Sequence, residues 1–175
     1  GRPVETPEAR YGKKGARLSP SPVGAHHWPP MAFNPATGLV YFPGQDTASN
    51  FQAVDNFEFK MGQWNTGTRL GQSPAAAASA AAPPAPAPLP GRRGFLLAWD
   101  PVAQKERWRN AFNPSGGVLS TAGNLIFVGD GGGTFMALDP ATGRRLWERQ
   151  LMPGIATPVT YEVNGKQFVA VVSGT

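Results

Sequence analysis

The 175-residue chain contains no cysteine. Disulfides, thiolate metal sites and c-type haem attachment are therefore excluded within this segment, and its redox compartment is left open. No apolar run approaches the roughly 18 residues that would read as a membrane span, so no span is expected. Charge is sparse as well. Lys+Arg 16 against Asp+Glu 11 gives +5, and the basic residues are scattered as Arg92-Arg93, Lys105, Arg107, Arg109 and Arg144-Arg145. Without a basic run or an aromatic-interleaved stripe the surface reads as mixed and solvated, and no nucleic-acid partner is expected. The opening Gly1-Arg2-Pro3-Val4-Glu5 has neither an initiator Met nor a signal-peptide hydrophobic region, and reads as mid-chain sequence. No convincing amphipathic helical pattern is present either.

Turn formers are abundant: Gly 22 and Pro 19. Part of the excess is one Ala/Pro tract, and the rest punctuates short β-rich runs, as an all-β protein requires. Three segments are expected. Residues 1–43 carry the Gly24-Ala25-His26-His27-Trp28-Pro29-Pro30 turn and then a hairpin. Its strands are Met31–Phe33 and Leu39–Phe42, the Asn34–Gly38 turn joins them, and Pro43 closes it. Residues 44–93 read as a long loop and a low-complexity excursion. Within it, 73–90 is too poor in large apolar side chains to offset the entropy of ordering. Residues 94–175 are the best-patterned stretch and read as about two sheets of short strands.

A repeat organises that last stretch. Ala98-Trp99-Asp100-Pro101 with Trp108 lies over Ala137-Leu138-Asp139-Pro140 with Trp147, a separation of 39 residues (137 − 98). A period near 40 that holds four short strands is about one propeller blade. Asp-Pro opens a turn, and Thr142-Gly143 finishes it where a left-handed backbone is needed. The small Ala permits close approach, and Trp108 and Trp147 are expected to be buried in equivalent places between blades. Glu106 and Glu148 read as surface charges.

The Ala137–Trp147 pattern resembles the tryptophan docking motif of the quinoprotein dehydrogenase propellers. Gly1–Glu5 with Glu8–Tyr11, Gly24–Met31, Ala98–Val102 and Gly116–Gly123 resemble the alcohol dehydrogenases of that family in the same order. The resemblance implies the C-terminal part of an eight-bladed β-propeller, here about two to three blades of four-stranded antiparallel sheets. It implies oxidation of a primary alcohol or polyol by hydride transfer to pyrroloquinoline quinone (PQQ), with a Ca²⁺ or lanthanide ion as Lewis acid. It also implies a cytochrome c electron acceptor, the rest of the same propeller as a partner, and a periplasmic location. By the same resemblance the catalytic carboxylate and the metal ligands lie upstream of Gly1, so no catalytic or metal-binding residue is expected here.

Cofactor contacts are expected at His27, Trp28, Gly116, Gly117 and Val118. His27 stands where the family has Asn, and the glycine pair would admit the ring. For Trp28 a packed turn aromatic is an equal alternative to a quinone contact, and one of His26 and His27 is expected to be structural. A non-enzymatic propeller serving as an assembly scaffold is the alternative function. Deleting residues 73–90 from the intact protein should lower its melting temperature by no more than a few degrees. Differential scanning calorimetry of the deletion variant checks this.

Overall fold

The computed structural model describes Arg2, residues 4–70 and residues 94–174. The chain divides into two compact units, Gly1–Ala25 with Asp46–Pro88, and His26–Gln45 with Leu89–Thr175. The expected excursion at 73–90 lies outside the described residues. No described helix is long and apolar enough to cross a membrane.

In the first unit a 3₁₀ turn at Pro7–Ala9 precedes a three-stranded antiparallel sheet. The strands are β1 (Ala16–Leu18), β4 (Ser49–Ala53) and β5 (Thr68–Leu70), with β4 in the middle. Tyr11 packs on Phe51 with ring centroids 5.3 Å apart and shares a 2.9 Å hydroxyl hydrogen bond with Thr68. The long loop expected from residue 44 onward is therefore corrected: β4 and β5 lie within it. Their pattern was hidden because all five β4 residues are only partly buried, which leaves no apolar alternation to read.

The second unit contains two four-stranded antiparallel sheets and a hairpin. The first sheet has the order β2 (Ala32–Asn34), β3 (Leu39–Gln45), β6 (Gly94–Asp100), β7 (Lys105–Ala111). The second runs β8 (Pro114–Thr121), β9 (Leu125–Asp130), β10 (Thr134–Leu138), β11 (Arg145–Gln150). β12 (Val159–Val163) pairs with β13 (Lys166–Ala170) alone. The all-β architecture is that of a partial propeller. Residues 94–175 do not supply two whole blades, however, because the first sheet takes its other half from β2 and β3. β3 also continues past Pro43, which pairs with Leu96. The Pro43 carbonyl accepts from His26 Nδ1 at 2.7 Å. The N and O of one strand residue face the same side, so the missing N–H falls where no ladder bond is needed.

The 39-residue repeat is reproduced in three dimensions. Ala98 pairs with Trp108 and Ala137 with Trp147, and in each case the register shifts immediately after the alanine. Asp100 Oδ1 accepts the N–H groups of Val102 and Ala103, and Asp139 Oδ1 those of Ala141 and Thr142. Four residues after each aspartate the backbone turns left-handed, at Gln104 (φ 51) and at Gly143 (φ 72). Gly143 is required twice over, since a Cβ there would sit 2.7 Å from the Trp108 ring. Hydrogen bonds from the Thr142 hydroxyl and backbone N–H hold the Asp139 carboxyl below the usual carboxylate range.

Facing surfaces of the two sheets form one core that includes Leu39, Tyr41, Leu96, Val118, Ile126 and Met136. Its polar centre is the carbonyl of buried Pro140. That oxygen accepts the Tyr41 hydroxyl at 2.9 Å and the Trp108 indole N–H at 2.9 Å. Burial raises the Tyr41 hydroxyl above its ordinary pKa. Trp108 is thus partly buried against the turn of the next sheet. Trp147, expected to be equivalent, is 49% exposed. Every residue of β11 is exposed, and no further sheet covers that face among the described residues.

Because the Pro140 oxygen has two donors, it is orphaned only when both are lost. Tyr41→Phe and Trp108→Phe should each cost about 1 kcal/mol, and the double variant should exceed their sum by about 1 kcal/mol. Urea denaturation of the intact protein in a double-mutant cycle measures the difference.

Candidate functional site

The turn from His26 to Pro30 leads into β2 and is held at both ends. At its start the His26 imidazole bonds the Pro43 carbonyl and meets the Phe42 ring edge-on, with centroids 5.4 Å apart. His26 is therefore the structural histidine of the pair. At its end the Pro30 carbonyl accepts the Val118 N–H at 3.0 Å. Between these anchors His27 and Trp28 project outward, their ring centroids 5.9 Å apart and tilted by 54°. Within this chain the indole is 74% exposed.

The expected glycine pair lies directly behind this turn. A Cβ on Gly117 would come within 2.5 Å of Pro30 Cδ and 2.8 Å of Pro30 N. Gly116 has φ +70, and a Cβ there would lie 2.7 Å from the backbone of Ala156 and Thr157. Both glycines are thus explained by protein against protein. Val118 is 4% exposed and points into the core, where Leu119 resumes pairing with Phe127 on β9. The structure brings all five predicted residues into one neighbourhood but divides them by role. His27 and Trp28 form the open face, and Gly116, Gly117 and Val118 form its support.

Thr157 was missed by the sequence reading. Its Oγ1 accepts the Gly117 N–H at 2.8 Å, which ties the glycine turn to a third segment. The available signal was Thr157-Pro158, because a residue before proline is held extended and presents its side chain in one direction. Ile155 fixes that segment from below. It is 1% exposed, and a Cβ on Gly129 would come within 2.4 Å of its Cγ2.

The carboxylates of this unit other than Glu162, which lies exposed on β12, are occupied elsewhere. Asp100 and Asp139 cap their turns, and Asp130 Oδ1 accepts the N–H groups of Gly132 and Thr134. Glu106 pairs with Arg109 at 2.7 Å, and Glu148 pairs with Arg145. No group of three or more His, Asp or Glu side chains among the described residues could hold a metal ion. The donor set does suit the rim of a flat, polar ring. One exposed indole offers a stacking surface, and one exposed imidazole offers a hydrogen bond.

Residues 99–169 match the family model of the glucose/ethanol/alcohol dehydrogenase β-propeller domain, the PQQ type. The matched stretch, Trp99 to Val169, is thus similar to a quinoprotein dehydrogenase propeller. Among curated proteins it is similar to the quinohemoprotein alcohol dehydrogenase of Comamonas testosteroni, with 43% identity over 99% of this chain. It is 41% identical to the quinohemoprotein alcohol dehydrogenase ADH IIB of Pseudomonas putida. In both cases it spans only 24% of the relative's length. The crystal structure of the Comamonas testosteroni enzyme superposes on 99% of this chain with a TM-score of 0.82, and the match covers 26% of that chain. A europium-containing methanol dehydrogenase superposes with a TM-score of 0.79 at 31% identity, over 99% of this chain and 29% of that one.

Gly117→Ala in the intact protein should push Pro30 away and destabilise the fold by about 1–3 kcal/mol. Urea denaturation gives the stability, and near-ultraviolet circular dichroism reports the displaced aromatic turn.

Proposed function

We propose that this chain is part of a quinoprotein oxidoreductase that oxidises a primary alcohol or polyol by hydride transfer to PQQ and passes the electrons to cytochrome c. The observation that carries the reading is the exposed His27–Trp28 pair, anchored at both ends and backed by the Gly116–Val118 turn. Relatives at 43% and 37% identity are named quinohemoprotein alcohol dehydrogenase and 1-butanol dehydrogenase (cytochrome c), which supports both the substrate class and the acceptor. A periplasmic location and the rest of the same propeller as partner belong to this reading.

When bound, PQQ would supply the hydride acceptor, and a Ca²⁺ or lanthanide ion would supply Lewis-acid polarisation. The residues of this chain bind and orient. Trp28 offers one face to the flat ring and excludes water from it. The His27 side chain, in place of the family's Asn, donates one hydrogen bond to an oxygen at the ring's edge. On the family resemblance the proton of the alcohol goes to a carboxylate outside this chain, and in the second unit the carboxylates are engaged in turns and ion pairs or, in the case of Glu162, lie exposed on β12. The isolated chain is accordingly inactive.

A scaffold propeller without catalysis is the second reading. The observation on its side is that Gly116 and Gly117 are accounted for by contacts with Pro30 and with residues 155–157 alone. Titration of the intact apoprotein with quinone separates the two. Trp28→Ala should weaken quinone binding about tenfold, the loss of one aromatic stacking partner of about 1 kcal/mol or more beyond its buried area. His27→Asn should change quinone affinity in the same titration, because the amide presents its donor with a different reach and direction from the imidazole. An intact wild-type protein that binds no quinone refutes the enzyme reading in favour of the scaffold.

A further inference from the structure

We propose that Thr157 is a positioning residue for the His27–Trp28 face, acting through the Gly117–Val118 turn and Pro30. The inference rests on the quinone reading of Trp28 given above.

Three chain segments interlock behind that face. Thr157 Oγ1 receives the N–H of buried Gly117 at 2.8 Å. The next residue, Val118, donates its N–H to the Pro30 carbonyl at 3.0 Å. Gly117 itself leaves no slack, because the space of its absent Cβ lies within 2.5–2.9 Å of Pro30 atoms. Pro29 and Pro30 have fixed φ angles, so a shift at Pro30 is carried to Trp28 with little flexing between them.

Thr157 can act as a reference point because its own segment is pinned. Ala156 donates its N–H to the Val172 carbonyl at 2.9 Å, and Ile155 forms a β-bridge with Ser173. Ile155 is buried beneath Gly129 of β9. The Thr157 hydroxyl is thus the side-chain link between a fixed segment and a turn that presents an aromatic surface. Removing it leaves the buried Gly117 N–H without its partner and loosens the Gly117–Val118 turn against which Pro30 is held.

The test uses the intact apoprotein with Thr157→Val, which keeps the shape and removes the hydroxyl, and Thr157→Ser, which restores it. Three readouts are taken: amide hydrogen exchange at Gly117 and Val118, the ¹⁹F resonance of Trp28 in fluorotryptophan-labelled protein, and quinone affinity. The valine variant should exchange at least tenfold faster at both amides, shift the Trp28 resonance, and bind quinone about tenfold more weakly. Its melting temperature should stay within a few degrees of wild type, and the serine variant should return every value to wild type. If valine leaves the Trp28 resonance unmoved, or serine fails to restore it, Thr157 does not position this face. If the resonance shifts but quinone affinity stays constant while Trp28→Ala weakens it, the inference is again overturned. If Trp28→Ala also leaves affinity unchanged, the quinone reading has failed, and the Trp28 resonance alone decides the positioning role. Should the valine variant not fold, Thr157→Ala replaces it in the same three measurements.

Discussion

The second unit is organised around one backbone oxygen. Two β-sheets can press apolar faces together in many registers, since dispersion and burial carry no direction. The Pro140 carbonyl supplies the direction. It is buried, it has two lone pairs, and it receives one donor from β3 and one from β7, at 2.9 Å each. A carbonyl shut away from water must be satisfied, so the turn of the second sheet sits at one place on the first. The tilted stacking of Tyr41 on Trp108, with centroids 5.7 Å apart, follows from the two donors converging on one atom. The Asn110 side chain adds a second polar tie by donating to the Gly143 carbonyl at 2.6 Å, on the far side of the same turn.

This junction explains what was legible in the sequence. Ala, Asp-Pro and Trp recur at fixed offsets because each does one thing in the blade. The alanine allows close pairing opposite the indole, the aspartate closes the turn with its carboxylate, and the tryptophan carries an N–H that at Trp108 reaches the neighbouring sheet. The repeat could therefore be read without coordinates. It could not reveal that the two tryptophans differ in environment. Burial belongs to the neighbour, and among the described residues no sheet covers Trp147. β4 and β5 escaped for a different reason. A strand buried to a similar partial extent on both faces, as β4 is, carries no alternation, and the β-signal depends on alternation.

The site was half legible. The His-His-Trp-Pro-Pro block and the glycine pair stand about 90 residues apart in the chain. Only the resemblance, and not local pattern, placed them together. The sequence also allowed the glycines to be explained by a ligand, whereas Pro30 and the Ile155–Thr157 backbone fill the space. Division of labour between His26 and His27 was expected, but which imidazole would be structural depended on the reach to Pro43, and β3 running past its proline made that reach available. Thr157 gave almost no signal, since one threonine in a β-rich segment looks like any other.

β3 and β6 are neighbours in one sheet, yet 48 residues, numbers 46 to 93, separate them in the chain. Their ladder ends with Gln45 opposite Gly94, so the intervening polypeptide leaves and re-enters at adjacent positions of two paired strands. The sheet specifies where this excursion begins and ends and sets no condition on its length. Closing such a loop costs only about 0.6 kcal/mol more for each doubling, so the connection after β5 could be lengthened while the β1–β4–β5 sheet and the register of β3 on β6 stayed intact. The connection between β5 and β6 is thereby a port at which evolution, or an engineer, could graft a folded module without altering either sheet.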